Sequence, residues 1–474
     1  MSFERLTTLA VVGAALLDLW ALSRAVLRER GVERTLAWIF GILAFPGVGA
    51  LAYFAFASPS IRRARRRKTI TATAARAAMR RLSGEGAELP STATTLLTAA
   101  ATTTGLQPSG GNRVELLAES ESAFERMEGA LRDAKKRIWS EYYIVKNDAT
   151  GHGFLDILTR KAREGLEVFL LYDAVGSMGL DPARLLALHE AGGKSVCFLP
   201  LNPLRKRWSL HLRNHRKLIL IDDSLAFTGG MNVGDEYAGR ARRGGKRNFH
   251  DTHLELEGPA VGALAQVFAE DWAYATDSPL EVTVTTQAVS GSSALVAPLP
   301  SGPDQSINAT WLLYFSAIAG AHRRVWLTSP YFIPDEVLEM ALISAAYRGV
   351  DVRILVPDRS DVRLTTAAGR AYCRVMVRSG VRVYRYLPSM LHAKTLLVDD
   401  DIAIVGSANA DMRSFRLNFE LGALIHDRGF AIELEKKFRA DILESREMTR
   451  AMATRTTLLP RLRDNLVRLL SAFL

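Results

Sequence analysis

Along the chain the apolar positions fall into three regimes. Residues 6–22 and 35–57 are nearly continuous apolar stretches. The second, at 1.5 Å per helical residue, is long enough to cross a hydrocarbon core roughly 30 Å thick. It predicts a spanning helix with Trp38 and Tyr53 near opposite ends, where amphipathic aromatics favour the interface, and with Pro46 and Gly49 tolerated inside it. The first is interrupted by Asp18, and a carboxylate deep in a bilayer costs about 2.5–3.5 kcal/mol unless it lies near the surface or is paired. A two-helix transmembrane hairpin over residues 1–60 accounts for both stretches. A cleaved signal peptide, with Ala21-Leu22-Ser23 as its small-residue site, is the competing reading.

The next regime, 69–111, is rich in Ala, Thr, Ser and Gly and predicts a linker, with an Ala-rich helix around 71–82. From Asn112 onward amphipathic helices alternate with short apolar runs. This pattern lasts almost to the C-terminus, where a basic, Leu-rich stretch at 458–474 predicts a closing helix packed on the body, a membrane-surface helix being the alternative.

The globular part repeats itself. Ala134, Arg137, Ile138 and Trp139 precede Tyr142-Tyr143-Ile144 as Ala321, Arg324, Val325 and Trp326 precede Tyr331-Phe332-Ile333. Ala162, Gly165 and Val168 lead into an apolar run ending at Asp173, as Ala346, Gly349 and Val352 lead into one ending at Asp358. In each copy a helix ends at a glycine and hands over to a buried strand. The pattern predicts an α/β fold: two tandem copies, 112–285 and 286–474, of a mixed or mostly parallel sheet covered by helices, after the hairpin and a basic segment and linker at 61–111.

Chemistry enters with the third match. His215-Arg216-Lys217 and His392-Ala393-Lys394 each open an apolar run closed by Asp222 or Asp399, and Gly229-Gly230-Met231-Asn232 and Gly406-Ser407-Ala408-Asn409 follow. On a strand, residues two apart point to one side, so each His and Lys can meet one ligand, and an ammonium beside an imidazole suits a phosphate. The Asp at the strand end is placed to tie the next turn. Gly-rich turns let backbone approach a ligand, and Asn232 and Asn409 can donate to a phosphate oxygen. A single His-x-Lys is ordinary surface decoration; two copies with the same sequel are not. His211 and His215, with His250 and His253, are the competing metal constellation.

Charge narrows the partner. The formal net charge is +11, which favours an anionic surface or polymer. The run Arg62, Arg63, Arg65, Arg66, Arg67 and Lys68 follows the apolar hairpin and outweighs Arg24, Arg28, Arg30 and Arg34 in its loop, so the positive-inside bias puts the rest of the chain in the cytoplasm. Arg242, Arg243, Gly244, Gly245, Lys246 and Arg247 predict a mobile basic loop, with phosphate attraction as the sharper alternative. Cys197 and Cys373 are too few and too far apart for a disulfide framework or a thiolate metal site.

At the twin His-x-Lys motifs, at Ser329-Pro330-Tyr331-Phe332-Ile333-Pro334-Asp335, at Gly406 to Ser414 and at the N-terminal Ala37-Trp38 to Gly49 segment, the chain resembles the phospholipase D superfamily, and within it the bacterial cardiolipin synthases. The resemblance implies one cleft shared by both halves, no cofactor and no metal, and a covalent phosphohistidine. One imidazole attacks phosphorus and the other serves the leaving and entering hydroxyls. It further implies a catalytic set of His215, Lys217, Asp222, His392, Lys394 and Asp399, and a phosphate cradle of Lys217, Lys394, Asn232 and Asn409. Glu420 is implied as partner of the second-copy histidine and Asp251 as its first-copy equivalent, with His250 standing where the family more often has Arg. The implied partner is phosphatidylglycerol in an anionic bacterial inner membrane, with no nucleic acid. Hydrolysis, transfer to another headgroup, a tethered nuclease and a non-catalytic membrane scaffold are the competing readings.

Overall fold

The computed structural model describes residues 3–27, 32–54, 91–202, 208–209, 211–241, 248–282, 287–454 and 457–469. The basic run at 62–68, the expected helix around 71–82 and the basic loop at 242–247 lie outside them. The chain divides into two compact units, Met1–Arg62 with Trp208–His211, and the remainder.

In the smaller unit the first apolar stretch forms the helix Phe3–Leu27. The second does not form the single spanning helix expected of 35–57. It gives a helix Val32–Ala44 and a short helix Val48–Ala52, separated at Phe45-Pro46-Gly47. Pro46 cannot donate to the helical ladder, and Gly47 takes a left-handed φ of 76°. The Gly47 N–H instead donates to both carboxylate oxygens of Asp18, at 2.8 and 3.0 Å. The carboxylate that weakened the first stretch thus satisfies the backbone broken in the second. The unit closes on Ala21, Ala25, Ile42, Ala50 and Tyr53, with Gly49 packed so closely on Gly41 and Ile42 that a Cβ would lie 2.5 Å from the Gly41 carbonyl. Among the described residues no helix is long and apolar enough to cross a membrane.

The larger unit is built on one mixed sheet. Its strands lie in the order Ser445–Glu447, Arg382–Tyr386, Asp351–Pro357, Arg324–Thr328, Thr395–Val398, Ile402–Gly406, Asn418–His426, Ala294–Ser301, Ser109–Leu117, His253–Glu257, Leu225–Gly229, Lys217–Ile221, Arg137–Tyr142, Glu167–Asp173 and Lys194–Phe198. Outward from the central antiparallel pair, Ser109–Leu117 with Ala294–Ser301, six strands on each side match in order, and Ser445–Glu447 adds an unmatched antiparallel strand at the rim of the second half. Each side has three parallel strands toward its rim and antiparallel strands toward the middle. Trp139 faces Leu220 as Trp326 faces Leu397. That register makes Ser329 the counterpart of Tyr142 and Tyr331 that of Ile144, two residues away from the aromatic match expected from sequence.

The helices cover the sheet because their apolar stripes need burial. Residues 91–104, expected as linker, form the helix Ser91–Thr104. Its Ala93, Leu96, Leu97 and Ala100 belong to the core of the second half, with Leu313, Leu327, Ile354 and Val383. The first half has a separate core around Phe124, Leu158, Leu170 and Ile219. The closing helix Leu458–Leu469 packs on the helix Arg363–Arg378, where buried Asp464 meets Arg374 at 2.8 Å.

Candidate active site

Each motif histidine sits just before a strand of its own half, but the segment carrying it pairs with the other half. Arg213–Asn214 runs parallel to the start of Asn418–His426, with Arg213 opposite Asn418 and Asn214 opposite Phe419. The His215 N–H then donates to the Phe419 carbonyl at 2.8 Å. In the mirrored arrangement Met390–Leu391 runs parallel to Phe249–His250, and the His392 N–H donates to the His250 carbonyl at 2.7 Å. The residue after each receiving position is a carboxylate.

The histidine partners are therefore crossed. His215 Nδ1 lies 2.9 Å from Glu420, and His392 Nδ1 lies 2.5 Å from Asp251. This corrects the expectation that Glu420 serves the second-copy histidine and Asp251 the first. The matching of Asp251 with Glu420 as equivalents is sound, since Leu254 faces Thr228 as Ala423 faces Val405. What sequence alignment within one half cannot show is that each half orients the ring of the other.

The two imidazoles face one cavity of about 380 Å3, which Asn232, Asn409, Tyr143, Tyr237 and Tyr331 also line. Tyr143 stands edge-on to His215, ring centroids 4.9 Å apart, and Tyr237 and Phe249 flank His392 at 5.4 and 5.3 Å. Burial in this aromatic wall pushes the His215 pKa down to about 4, against the pull of Glu420. Burial and then the Lys394 charge lower that of His392 as well. Burial alone would raise the Asp251 carboxyl, but Lys394 and His392 outweigh it; likewise His215 and Lys217 hold Glu420 below the usual carboxylate range. The site thus sets neutral imidazoles against ionised carboxylates.

The lysines stand beneath the rings rather than on the cavity wall. Lys217 Nζ donates to the His215 carbonyl at 2.6 Å. Lys394 Nζ donates to the His392 carbonyl and also lies 2.6 Å from His392 Nδ1 and 3.6 Å from Asp251. Both are almost wholly buried, and burial is the first cause of their lowered pKa values, that of Lys394 to about 8.

Asp222 and Asp399 are not part of this cavity, which corrects their inclusion in the catalytic set. At about 3.3 Å per residue the strand carries Asp222 roughly 17 Å from Lys217. Its carboxylate accepts from the N–H groups of Lys135, Lys136 and Arg137 at 2.7, 2.7 and 3.0 Å. Asp399 does the same for His322, Arg323 and Arg324. Both have left-handed backbone, φ 51°, and tie the helix-to-strand junction to the far end of the motif strand.

Sequence reasoning left two cations of the wall without a role, Arg213 and Arg413. Arg213 stands two residues before His215, where the second half has Met390, so the site is charged asymmetrically; that difference between the two copies was the signal available in the sequence. Arg216, fully buried, joins the halves by donating to the carbonyls of Glu420 and Ser301 at 3.1 and 3.2 Å and pairing with Asp271. Among the described residues no cluster of three or more His, Cys, Asp and Glu could hold a metal ion. His250 instead lies 2.9 Å from Asp441 and stacks on Tyr386.

Comparison with known proteins now bears on this geometry. A curated protein named cardiolipin synthase A, from Pseudomonas aeruginosa, is 38% identical over 93% of this chain and 91% of its own length. The chain belongs to the bacterial cardiolipin synthase family of the phospholipase D superfamily. A cardiolipin synthase A of Pseudomonas putida is 40% identical over 77% of this chain and 75% of its own. The family model "Cardiolipin synthase, PLD-like domain" matches residues 314–442, and "Phospholipase_D-nuclease N-terminal" matches 16–57. Among solved structures, a phosphatidylserine synthase from Haemophilus influenzae matches with a TM-score of 0.62 at 18% identity, covering 80% of this chain and all of its own, which shows the fold.

Proposed function

We propose that this chain transfers a phosphatidyl group from one phosphatidylglycerol to the hydroxyl of another, forming cardiolipin and releasing glycerol. The observation that carries the reading is the pair of crossed His–carboxylate contacts facing one cavity in a chain of this family. A neutral imidazole whose Nδ1–H is held by a carboxylate offers its Nε2 lone pair to the cavity. His215, bound through Nδ1 to Glu420, is in that state and is the nucleophile. His392, whose Nδ1–H is held by Asp251 at 2.5 Å, is the acid: it gives up a proton from Nε2 in its doubly protonated form, which an anionic phosphodiester in the cavity favours.

His215 Nε2 attacks phosphorus, the bond to the glycerol oxygen breaks, and His392 gives its Nε2 proton to the departing alkoxide. Glycerol leaves a phosphatidyl group on His215. The hydroxyl of the second phosphatidylglycerol then passes its proton to His392 as its oxygen attacks phosphorus, and the P–N bond breaks. Asn232 and Asn409 hold phosphate oxygens from the wall, while Lys217 and Lys394 supply positive charge from beneath.

The N-terminal unit anchors the chain in the inner membrane as two apolar passes, the second of them broken, with the catalytic body in the cytoplasm. Support comes from its outward Leu9, Val12, Leu16, Leu19, Phe40 and Leu43, an apolar surface too extensive for contact with water alone. The test is to quench detergent-solubilised enzyme during turnover of phosphatidylglycerol and map the phosphorylated residue. The expected result is phosphate on His215, cardiolipin and glycerol as products, and no product from His215→Ala or His392→Ala. Phosphate on His392 overturns the division of roles, and phosphatidic acid without cardiolipin overturns the synthase reading.

A further inference from the structure

A second cavity, of about 310 Å3, adjoins the catalytic one, and Thr365 lines both. It lies among the helix Arg363–Arg378, the strands Asp351–Pro357 and Arg382–Tyr386, and the closing helix Leu458–Leu469. Four arginines line it, Arg370, Arg374, Arg385 and Arg463, against two acidic residues, Asp358 and Asp464. Asp464 is shared by Arg374 at 2.8 Å, Arg463 at 2.9 Å and Arg370 at 3.9 Å, while Asp358 serves Arg385 at 3.3 Å. The internal pairing leaves cationic charge over.

It also leaves donors over. Arg374 Nη2, Arg370 Nε and Arg385 Nε are each buried with no hydrogen-bond partner among the described residues, and Arg374 as a whole is 6% exposed. Buried donors without acceptors are costly and uncommon, and three of them on arginines that line one cavity favour an anion with several acceptor oxygens there. Planar guanidinium forks match phosphate in this respect. Phe332, Val356 and Met448 supply an apolar side, so the ligand is a phosphate on an amphiphile. The volume is at the low end for a ligand pocket, about 300–1,000 Å3, and suits a headgroup rather than two acyl chains.

Transfer to a lipid hydroxyl must outcompete transfer to water. Only binding of the rest of the acceptor can favour it, and the acceptor brings a phosphate of its own. We propose that this cavity is a second phosphate site, in which Arg370, Arg374 and Arg385 hold the phosphodiester of the acceptor phospholipid while its terminal hydroxyl enters the catalytic cavity past Thr365. The proposal rests on the phosphatidyl-transfer reading above and names the site that selects its acceptor.

The experiment follows glycerol, cardiolipin and phosphatidic acid from phosphatidylglycerol with the full chain and with Arg370→Gln, Arg374→Gln and Arg385→Gln. Glycerol release within about 2-fold of wild type, with the cardiolipin-to-phosphatidic-acid ratio down about 10-fold, is expected. An unchanged ratio in all three, or all products falling together, overturns the proposal. Arg374→Gln strips a partner from buried Asp464 and can unfold the closing helix; Arg370→Gln and Arg385→Gln leave Arg374 and Arg463 on Asp464 and keep the test decisive.

Thermal unfolding with dihexanoyl phosphatidylglycerol and with inorganic phosphate separates the two sources of the anion. Stabilisation by the lipid that the variants lose supports the acceptor site, whereas stabilisation by inorganic phosphate alone overturns it. A wild-type chain that yields only phosphatidic acid sinks the synthase reading instead, and lipid stabilisation that the variants lose then still upholds the phosphate site.

Discussion

At the scale of single residues the controlling fact is that a side chain's chemistry here is set by a neighbour from the other half. His215 is neutral because it is buried, and aligned because Glu420 holds its Nδ1. The depressed pKa has a kinetic signature. An imidazole nucleophile of ordinary basicity loses its lone pair as pH falls through about 6.5, whereas His215 keeps it until pH falls through about 4. The acid limb of kcat/KM for glycerol release, which reports the free enzyme, is therefore expected near pH 4, and a limb at 6–7 contradicts the environment described. The motif residues themselves were legible from spacing. Their roles were less so: His-x-Lys was expected to turn both groups toward a ligand, but Lys217 and Lys394 bond backward to the histidine carbonyls. A two-residue period places side chains on a face; it does not say how far along that face a long, flexible chain extends.

Elements translate sequence into this placement through short bridges and ties. The two-residue pairings Arg213–Asn214 with Asn418–Phe419, and Phe249–His250 with Met390–Leu391, are too short for any propensity signal, yet they deliver each histidine to its carboxylate. Asp222 and Asp399 act at the opposite end of the motif strands. Replacing Asp222 by Ala removes the acceptor of three backbone N–H groups and leaves a non-glycine residue at φ 51° without its compensating contacts. A loss of about 2–3 kcal/mol in urea unfolding is expected, with turnover per folded molecule within about 2-fold of wild type; a full-stability variant with lost turnover restores Asp222 to the catalytic set. The helix Ser91–Thr104 escaped notice because Ala, Thr and Ser dominate it. Such a composition reads as linker until a core elsewhere in the chain accepts its few leucines.

For the whole molecule, duplication gives two half-sites and only their apposition gives one site. Asn112 Nδ2 donates to the Ala294 carbonyl at 3.1 Å across the central strand pair, and Arg216 crosses from the first half to the Glu420 and Ser301 carbonyls. Because both histidines and both carboxylates come from one chain, mixing the His215→Ala and His392→Ala proteins is expected to leave cardiolipin formation absent. Turnover regained on mixing means that the site is completed between chains.

The chain's sequence by itself determined the duplication, the identity of the two histidines and their lysines, the α/β class and the apolar character of the N-terminus. All of these are written in local periodicity and in spacing. Tertiary structure alone decided which carboxylate serves which ring, that the motif aspartates are ties rather than reactants, that Asp18 satisfies the backbone freed at Pro46-Gly47, and that three arginines dispersed over residues 370–385 converge with unpartnered donors on one cavity. Each of these depends on contacts between segments far apart in the chain. Such contacts are fixed by how two cores pack together, and no local pattern encodes that.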